Sequence, residues 1–280
     1  MVDKHGQYTE AKDKDQKIKI QREVVEYLEN VITEIIRNAS LTTPYKSEFT
    51  IDPEEAKERY FAKLNRWIQT FFYAHSIGVG FAPKATTMTK WFHDIVVPNF
   101  SFFREVSTYL TKDETVIHYD VRPENVLYRG SDGRIEFALC DPKKARVGPI
   151  SFDLCAIINN VNIASFDLDL ATRLSIFRDG LLRSNIFVPP TNLDLEDAVR
   201  REFALATFFR NIKGLGFHGS LKLKHSDRYK DYLANNPSEQ NLFSYISILR
   251  ELVQDNMIDE YTESLKLLTD SLESLLLLKK

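Results

Sequence analysis

His118, Asp120, Asn125, Asp141 and Asp153 fall within residues 116–156, VIHYDVRPENVLYRGSDGRIEFALCDPKKARVGPISFDLCA. An ordinary core has little reason to place these side chains between short apolar runs. Phosphoryl transfer does, because it needs few covalent partners and much positioning. One carboxylate orients an attacking hydroxyl, and oxygen ligands hold Mg²⁺ on the phosphates. Asp120 suits the first task, and Asn125 and Asp141 suit the second.

Such groups act together only if the surrounding elements converge. Residues 115–118 are apolar and β-branched and read as a short buried strand that ends at a loop. Pro123 forbids a helix there and pushes Arg122 towards an extended conformation, which predicts a compact loop closing at Asn125. Val126, Leu127 and Tyr128 read as a second strand. Gly130, Ser131, Asp132 and Gly133 supply turn residues, and residues 135–140 read as a returning strand with Asp141 at its exit. A hairpin of this length predicts that Asp120, Asn125 and Asp141 come together. Arg122, two residues after Asp120, can reach a transferring phosphate or can simply face solvent. The basic run Lys143, Lys144 and Arg146 can neutralise phosphate or can be a solvated loop.

The run from His118 to Asn125, HYDVRPEN, resembles the catalytic loop H-x-D-x-x-x-x-N shared by protein kinases and by small-molecule kinases of the aminoglycoside phosphotransferase and choline kinase superfamily. Twelve positions separate Asp141 from Asp153. That is too few for the activation segment of a protein kinase and similar to the small-molecule group. The resemblance is confined to residues 116–156. Tyr119 stands where that group usually has Gly, Arg122 where it often has His or Asn, and Pro142 where an aromatic commonly follows the metal Asp. The resemblance implies that Asp120 is the catalytic carboxylate and that Asn125 and Asp141 hold Mg²⁺, with ATP as co-substrate and a small molecule as phosphate acceptor. It also implies that His118 and Asp153 brace the site, Asp153 by accepting backbone N–H bonds of the loop. The late helices, with Phe208, Phe209, Arg210 and residues 214–219, would wall the acceptor pocket.

Composition bounds the rest. The chain has 280 residues, 43% hydrophobic and 28% charged, with a formal charge of −3 and a pI near 6.1. That balance offers no general attraction to nucleic acid or to anionic membranes. Cys140 and Cys155 are too few for a disulfide scaffold and suit a reduced, cytoplasmic setting. No apolar run approaches the ~20 residues of a membrane span, and the N-terminus has no signal-peptide core.

Around the central stretch the pattern is helical. Residues 1–16 read as a polar tail and 17–280 as the lobe. Helices are expected at 18–38, 52–75, 89–96 and 100–110, then at 153–159, 167–183, 194–213, 228–233, 238–254 and 258–278. Gly78, Gly80, Gly214, Gly216, Gly219, Pro189, Pro190 and Pro237 punctuate the joins. His218 and His225 have no metal-ligand spacing. No internal repeat or linker is evident. The expected class is α+β, predominantly helical, similar to a protein kinase-like C-terminal lobe in which a small β-hairpin carries the catalytic loop. The N-terminal ATP-binding lobe has no counterpart: Gly6 is the one glycine before position 78, and residues 1–38 show no strand alternation. Three readings therefore stand beside one another. The chain is a phosphotransferase whose nucleotide lobe is supplied by a longer chain or by a partner, or an inactive binding module on the same scaffold, or a protein kinase relative.

Overall fold

The computed structural model describes residues 7–8, 13–49, 51–76, 93–94, 97–131, 134–160, 163, 166–224, 238–255, 257 and 261–277. In chain order they form α1 (Lys14–Thr42), α2 (Pro53–Ser76), α3 (Phe100–Tyr109), β1 (Thr115–Ile117), β2 (Val126–Ser131), β3 (Arg134–Leu139), β4 (Arg146–Gly148), α4 (Ile150–Ile158), α5 (Leu170–Arg183), α6 (Leu195–Lys224), α7 (Ser238–Gln254) and α8 (Thr262–Leu277). The fold is predominantly helical with short antiparallel strand pairs. The expected helix at 89–96 falls almost wholly outside the described residues, and that at 228–233 lies outside them, as do Gly78, Gly80, His225 and Pro237.

Two compact units are present, each assembled from two stretches of chain: residues 1–52 with 110–206, and 53–109 with 207–280. No linker separates them in sequence because α6 runs from one into the other.

In the first unit, α1 starts where Asp13 caps it, its carboxylate accepting from Gln16 N at 2.7 Å. Ile20, Val24, Leu28, Val31, Ile32 and Ile35 recur at helical spacing and are buried. The helix is longer at both ends than the apolar period indicates, since capping and polar end residues extend it. The polar-tail reading also needs correction at Tyr8. This residue is 5% exposed, donates to Asp167 at 3.0 Å and packs edge-on against Phe166. Every residue of α4 is buried, including Ser151 and Asp153 near its start, as expected of a helix whose other side chains are apolar all round. It packs against α1, α5 and β1. β2 and β3 pair antiparallel, with Val126 opposite Leu139 and Ser131 opposite Arg134. β1 pairs with β4, Thr115 opposite Gly148 and Ile117 opposite Arg146. β4 is Arg-Val-Gly, with Val147 as its one apolar β-branched residue, and so carries no strand pattern of its own in the sequence.

The second unit is an aromatic-rich helical body. Phe102 packs against Phe208 at 4.6 Å and Tyr261 at 4.9 Å, and Phe209 meets Tyr60 at 5.7 Å and Trp67 at 5.4 Å between ring centroids. Phe208 and Phe209 are fully buried in the core of this unit. Residues 214–219 are not a loop. They lie inside α6, where a Cβ at Gly216 would stand 2.4 Å from that of Trp67 and one at Gly219 2.9 Å from the Phe71 backbone. Close helix packing therefore overrides the cost of glycine within a helix. His218, on the same helix, is buried, and burial pushes its imidazole pKa down to about 4. Its Nδ1 has no hydrogen-bond partner, and no group of three or more His, Cys, Asp or Glu side chains suited to a metal ion occurs among the described residues.

Candidate active site

The candidate catalytic, metal-holding and phosphate-binding residues belong to the first unit, whereas Arg210, expected beside the acceptor, belongs to the second. β1 delivers the chain to Tyr119, whose φ of 66° lies in the left-handed region. A glycine adopts that conformation without steric cost, whereas a bulky residue there needs support. Tyr119 has three supports. Its ring stacks on Phe152 at 5.0 Å, the Arg146 guanidinium lies 3.7 Å over the ring, and its N–H donates to Asp153 Oδ1 at 2.9 Å. The other Asp153 oxygen accepts from His118 N at 2.6 Å. Asp153 therefore holds the loop's entry with both oxygens from the first turn of α4.

His118 braces the other side of the loop. Its Nε2 is 2.8 Å from the Cys140 carbonyl. A carbonyl only accepts, so Nε2 carries the proton. Its Nδ1 is buried without a partner.

Asp120 is 6% exposed. The turn at Pro123–Asn125 follows, closed by Asn125 N donating to Arg122 O at 2.9 Å. Asn125 Nδ2 donates to the Asp120 carbonyl at 2.9 Å. At the root of the hairpin, Cys140 N donates to the Asn125 carbonyl at 2.9 Å. Asp120, Asn125 and the chain entering Asp141 are thus joined in one hydrogen-bonded run. Asp141 itself has a φ of 63°, and its side chain is 37% exposed.

The loop after Asp141 brings cations onto both carboxylates. Lys144 Nζ is 2.8 Å from Asp120 Oδ2, Arg122 Nε is 4.0 Å from the same oxygen, and Lys143 Nζ is 3.2 Å from Asp141 Oδ1. The contact between Lys144 and Asp120 spans 24 residues and has no local signature.

Asn125 and Asp141 offer an amide oxygen and a carboxylate oxygen, a hard donor set that fits Mg²⁺. This ion takes one or two protein carboxylates and completes its shell with water and phosphate oxygens. Between α1 and the hairpin lies a groove of about 760 Å³ lined by Glu34, Arg37, Leu127, Tyr128, Phe137 and Ala138 among others, and none of Asp120, Asn125 and Asp141 lines it. Leu127 and Tyr128 are 57% and 73% exposed.

Next to β1, a half-buried ionic cluster centred on the buried Glu202 ties α4 to the first half of α6. Glu202 accepts from Ser151 Oγ at 2.8 Å and pairs with Lys112, whose Nζ is 3.7 Å from Glu114 Oε1. Glu114 Oε2 is buried without a hydrogen-bond partner. Burial, and then the charge of Glu202, push the Glu114 carboxyl up to about 7, against the pull of Lys112 and the Ile150 N–H. A raised carboxyl pKa means that the folded state holds the proton longer. The resulting stabilisation is complete below about pH 4.5 and is lost as pH rises through about 7. Stability should therefore fall by up to about 3 kcal/mol across that window, and Glu114→Gln should flatten the slope. Urea midpoints at intervals from pH 5 to 8 measure this, and equal slopes for the two proteins would contradict it.

No helix among the described residues is long and apolar enough to cross a membrane. Neither a family model nor a curated protein matches this chain.

Proposed function

We propose that this chain is a phosphotransferase that moves the γ-phosphate of ATP to a hydroxyl of a small molecule. The reading is carried by one observation: Asp120 is a buried carboxylate on a loop pinned at both ends, by Asp153 on one side and by Asn125 at the hairpin root on the other.

In this reading Asp120 orients the acceptor hydroxyl and takes its proton late in an in-line displacement. The acceptor oxygen bonds to the γ-phosphorus as the bond to the β,γ-bridging oxygen breaks, and ADP leaves. Asn125 and Asp141 hold Mg²⁺, which when bound neutralises phosphate charge. Arg122 and Lys144, both beside Asp120 Oδ2, supply positive charge where the phosphoryl group would pass.

Calorimetric titration with ATP and Mg²⁺, run beside Asp141→Asn, tests the binding half. Saturable Mg²⁺-dependent binding that the substitution removes is expected. The catalytic half predicts that Asp120→Ala lowers turnover by about 10²–10⁴-fold while the circular dichroism spectrum and thermal midpoint stay close to wild type. Phosphorylation retained by that variant would count decisively against the role of Asp120.

A second reading is favoured by the same Lys144 contact. A carboxylate already neutralised by an ammonium group suits a binding module that holds nucleotide without turning it over. ATP binding without ADP formation across an acceptor screen distinguishes it. The protein kinase reading has less room, since β4 and the turn before it occupy most of the chain between Asp141 and Asp153.

A further inference from the structure

The turn after Asp141 is built to present two ammonium groups together. Ala145 N donates to the Pro142 carbonyl at 2.8 Å, which puts Lys143 and Lys144 at the two central positions of a closed turn. The exit is fixed as well: Arg146 Nε donates to the Lys144 carbonyl at 3.2 Å, and its guanidinium is held over the Tyr119 ring. From this turn Lys144 reaches Asp120 at 2.8 Å and Lys143 reaches Asp141 at 3.2 Å. Each carboxylate assigned to the reaction is thus paired with one of two adjacent lysines.

We propose that Lys143 and Lys144 form a cationic latch that neutralises Asp141 and Asp120 until a polyphosphate draws the ammonium groups onto its own oxygens. The proposal rests on the reading of Asp141 as a cation ligand. A divalent cation approaching Asp141 meets the charge of Lys143 on the oxygen it needs, and that of Lys144 close by. A polyphosphate removes both obstacles at once. Cation and anion then favour each other's binding, and the factor is the same in both directions because coupling is reciprocal.

The Lys143 pair is open to solvent, its side chains 74% and 37% exposed, whereas Asp120 in the Lys144 pair is only 9% exposed. An exposed pair is worth up to about fivefold in affinity, and the better-buried pair more, so removal of both lysines should change affinity by about tenfold.

The test measures each ligand alone on the full chain, which avoids chelation of one by the other. Mn²⁺ binding is followed by electron paramagnetic resonance, and inorganic tripolyphosphate binding by calorimetry in EDTA. The proteins are wild type, Lys143→Met/Lys144→Met, and that double variant with Asp141→Asn added. The latch requires effects of opposite sign: in the double variant, Mn²⁺ binds about tenfold more tightly and tripolyphosphate about tenfold more weakly. Local unfolding of the turn would instead weaken both, and that result overturns the proposal. Mn²⁺ binding that depends on Asp141 but is unchanged by the lysine substitutions sinks the latch and leaves the site reading standing. Mn²⁺ binding that survives Asp141→Asn, or no Mn²⁺ binding to any of the proteins, removes the cation-ligand reading and the latch with it.

Discussion

Asp153→Ala should destabilise the first unit by about 3–5 kcal/mol, the largest effect expected of any single substitution around the site. The side chain is buried and accepts from two backbone N–H groups, His118 at 2.6 Å and Tyr119 at 2.9 Å. Alanine takes this acceptor from both donors, the Tyr119 N–H in a buried place and the His118 N–H in a half-buried one, at about 1–3 kcal/mol each. The loss also removes one of the supports that keep Tyr119 in its left-handed conformation. Asp153→Asn isolates the electrostatic part. Its amide oxygen can still accept one N–H, but its NH₂ group then faces the other, so about half of the alanine loss should remain. Urea denaturation followed through hydrogen exchange of the His118 and Tyr119 amides reads this unit directly. If Asp153→Asn stays within about 0.5 kcal/mol of wild type, the range of an inconsequential surface change, the anchoring role is wrong.

Gly216→Ala gives the second large effect, and its sign opposes helix propensity. In an isolated helix the change would stabilise by about 1 kcal/mol. Within α6 the added Cβ would sit 2.4 Å from Trp67 Cβ and 2.5 Å from Trp67 Cγ, atoms that cannot swing aside as the end of a flexible side chain could. Overpacking of this kind should cost about 2–4 kcal/mol. A double-mutant cycle with Trp67→Ala checks the cause: the two losses should be markedly less than additive, because removing the indole vacates the space the new methyl needs. A thermal midpoint for Gly216→Ala equal to or above wild type would show that α2 and α6 are not in this close contact.

These two substitutions mark where local pattern stops being informative. The glycines of α6 read as a break after Lys213 because, residue by residue, glycine is the poorest ordinary helix former. What keeps the helix intact through Lys224 is the close approach of Trp67, Phe71 and Tyr245 to Gly216, Gly219 and Gly214, residues far away in the chain. Phe208 and Phe209, which the family resemblance sets in a pocket wall, lie fully within the core. Tyr8, within a run of charged and polar residues, is buried because Asp167 and Phe166 lie beside it. At the site the mixture is the same. His118, Asp120, Asn125, Asp141 and Asp153 were legible as a set from type and spacing, whereas the Lys144–Asp120 pair and the support of Tyr119 by Arg146 were not.

By itself the sequence determined what depends on neighbours in the chain. The apolar period of α1, the acidic proline-led start of α2, and the strand–turn–strand that brings Asn125 and Asp141 to one root all follow from local preferences summed over a few turns or strand residues. Only the tertiary structure decided the pairing of β1 with β4, the continuity of α6, the Lys112–Glu114–Glu202 cluster, and which cation sits on which carboxylate. Each of those rests on contacts between residues distant in sequence, whose free energies come from close packing and from the exclusion of water. Neither quantity exists until the elements have met.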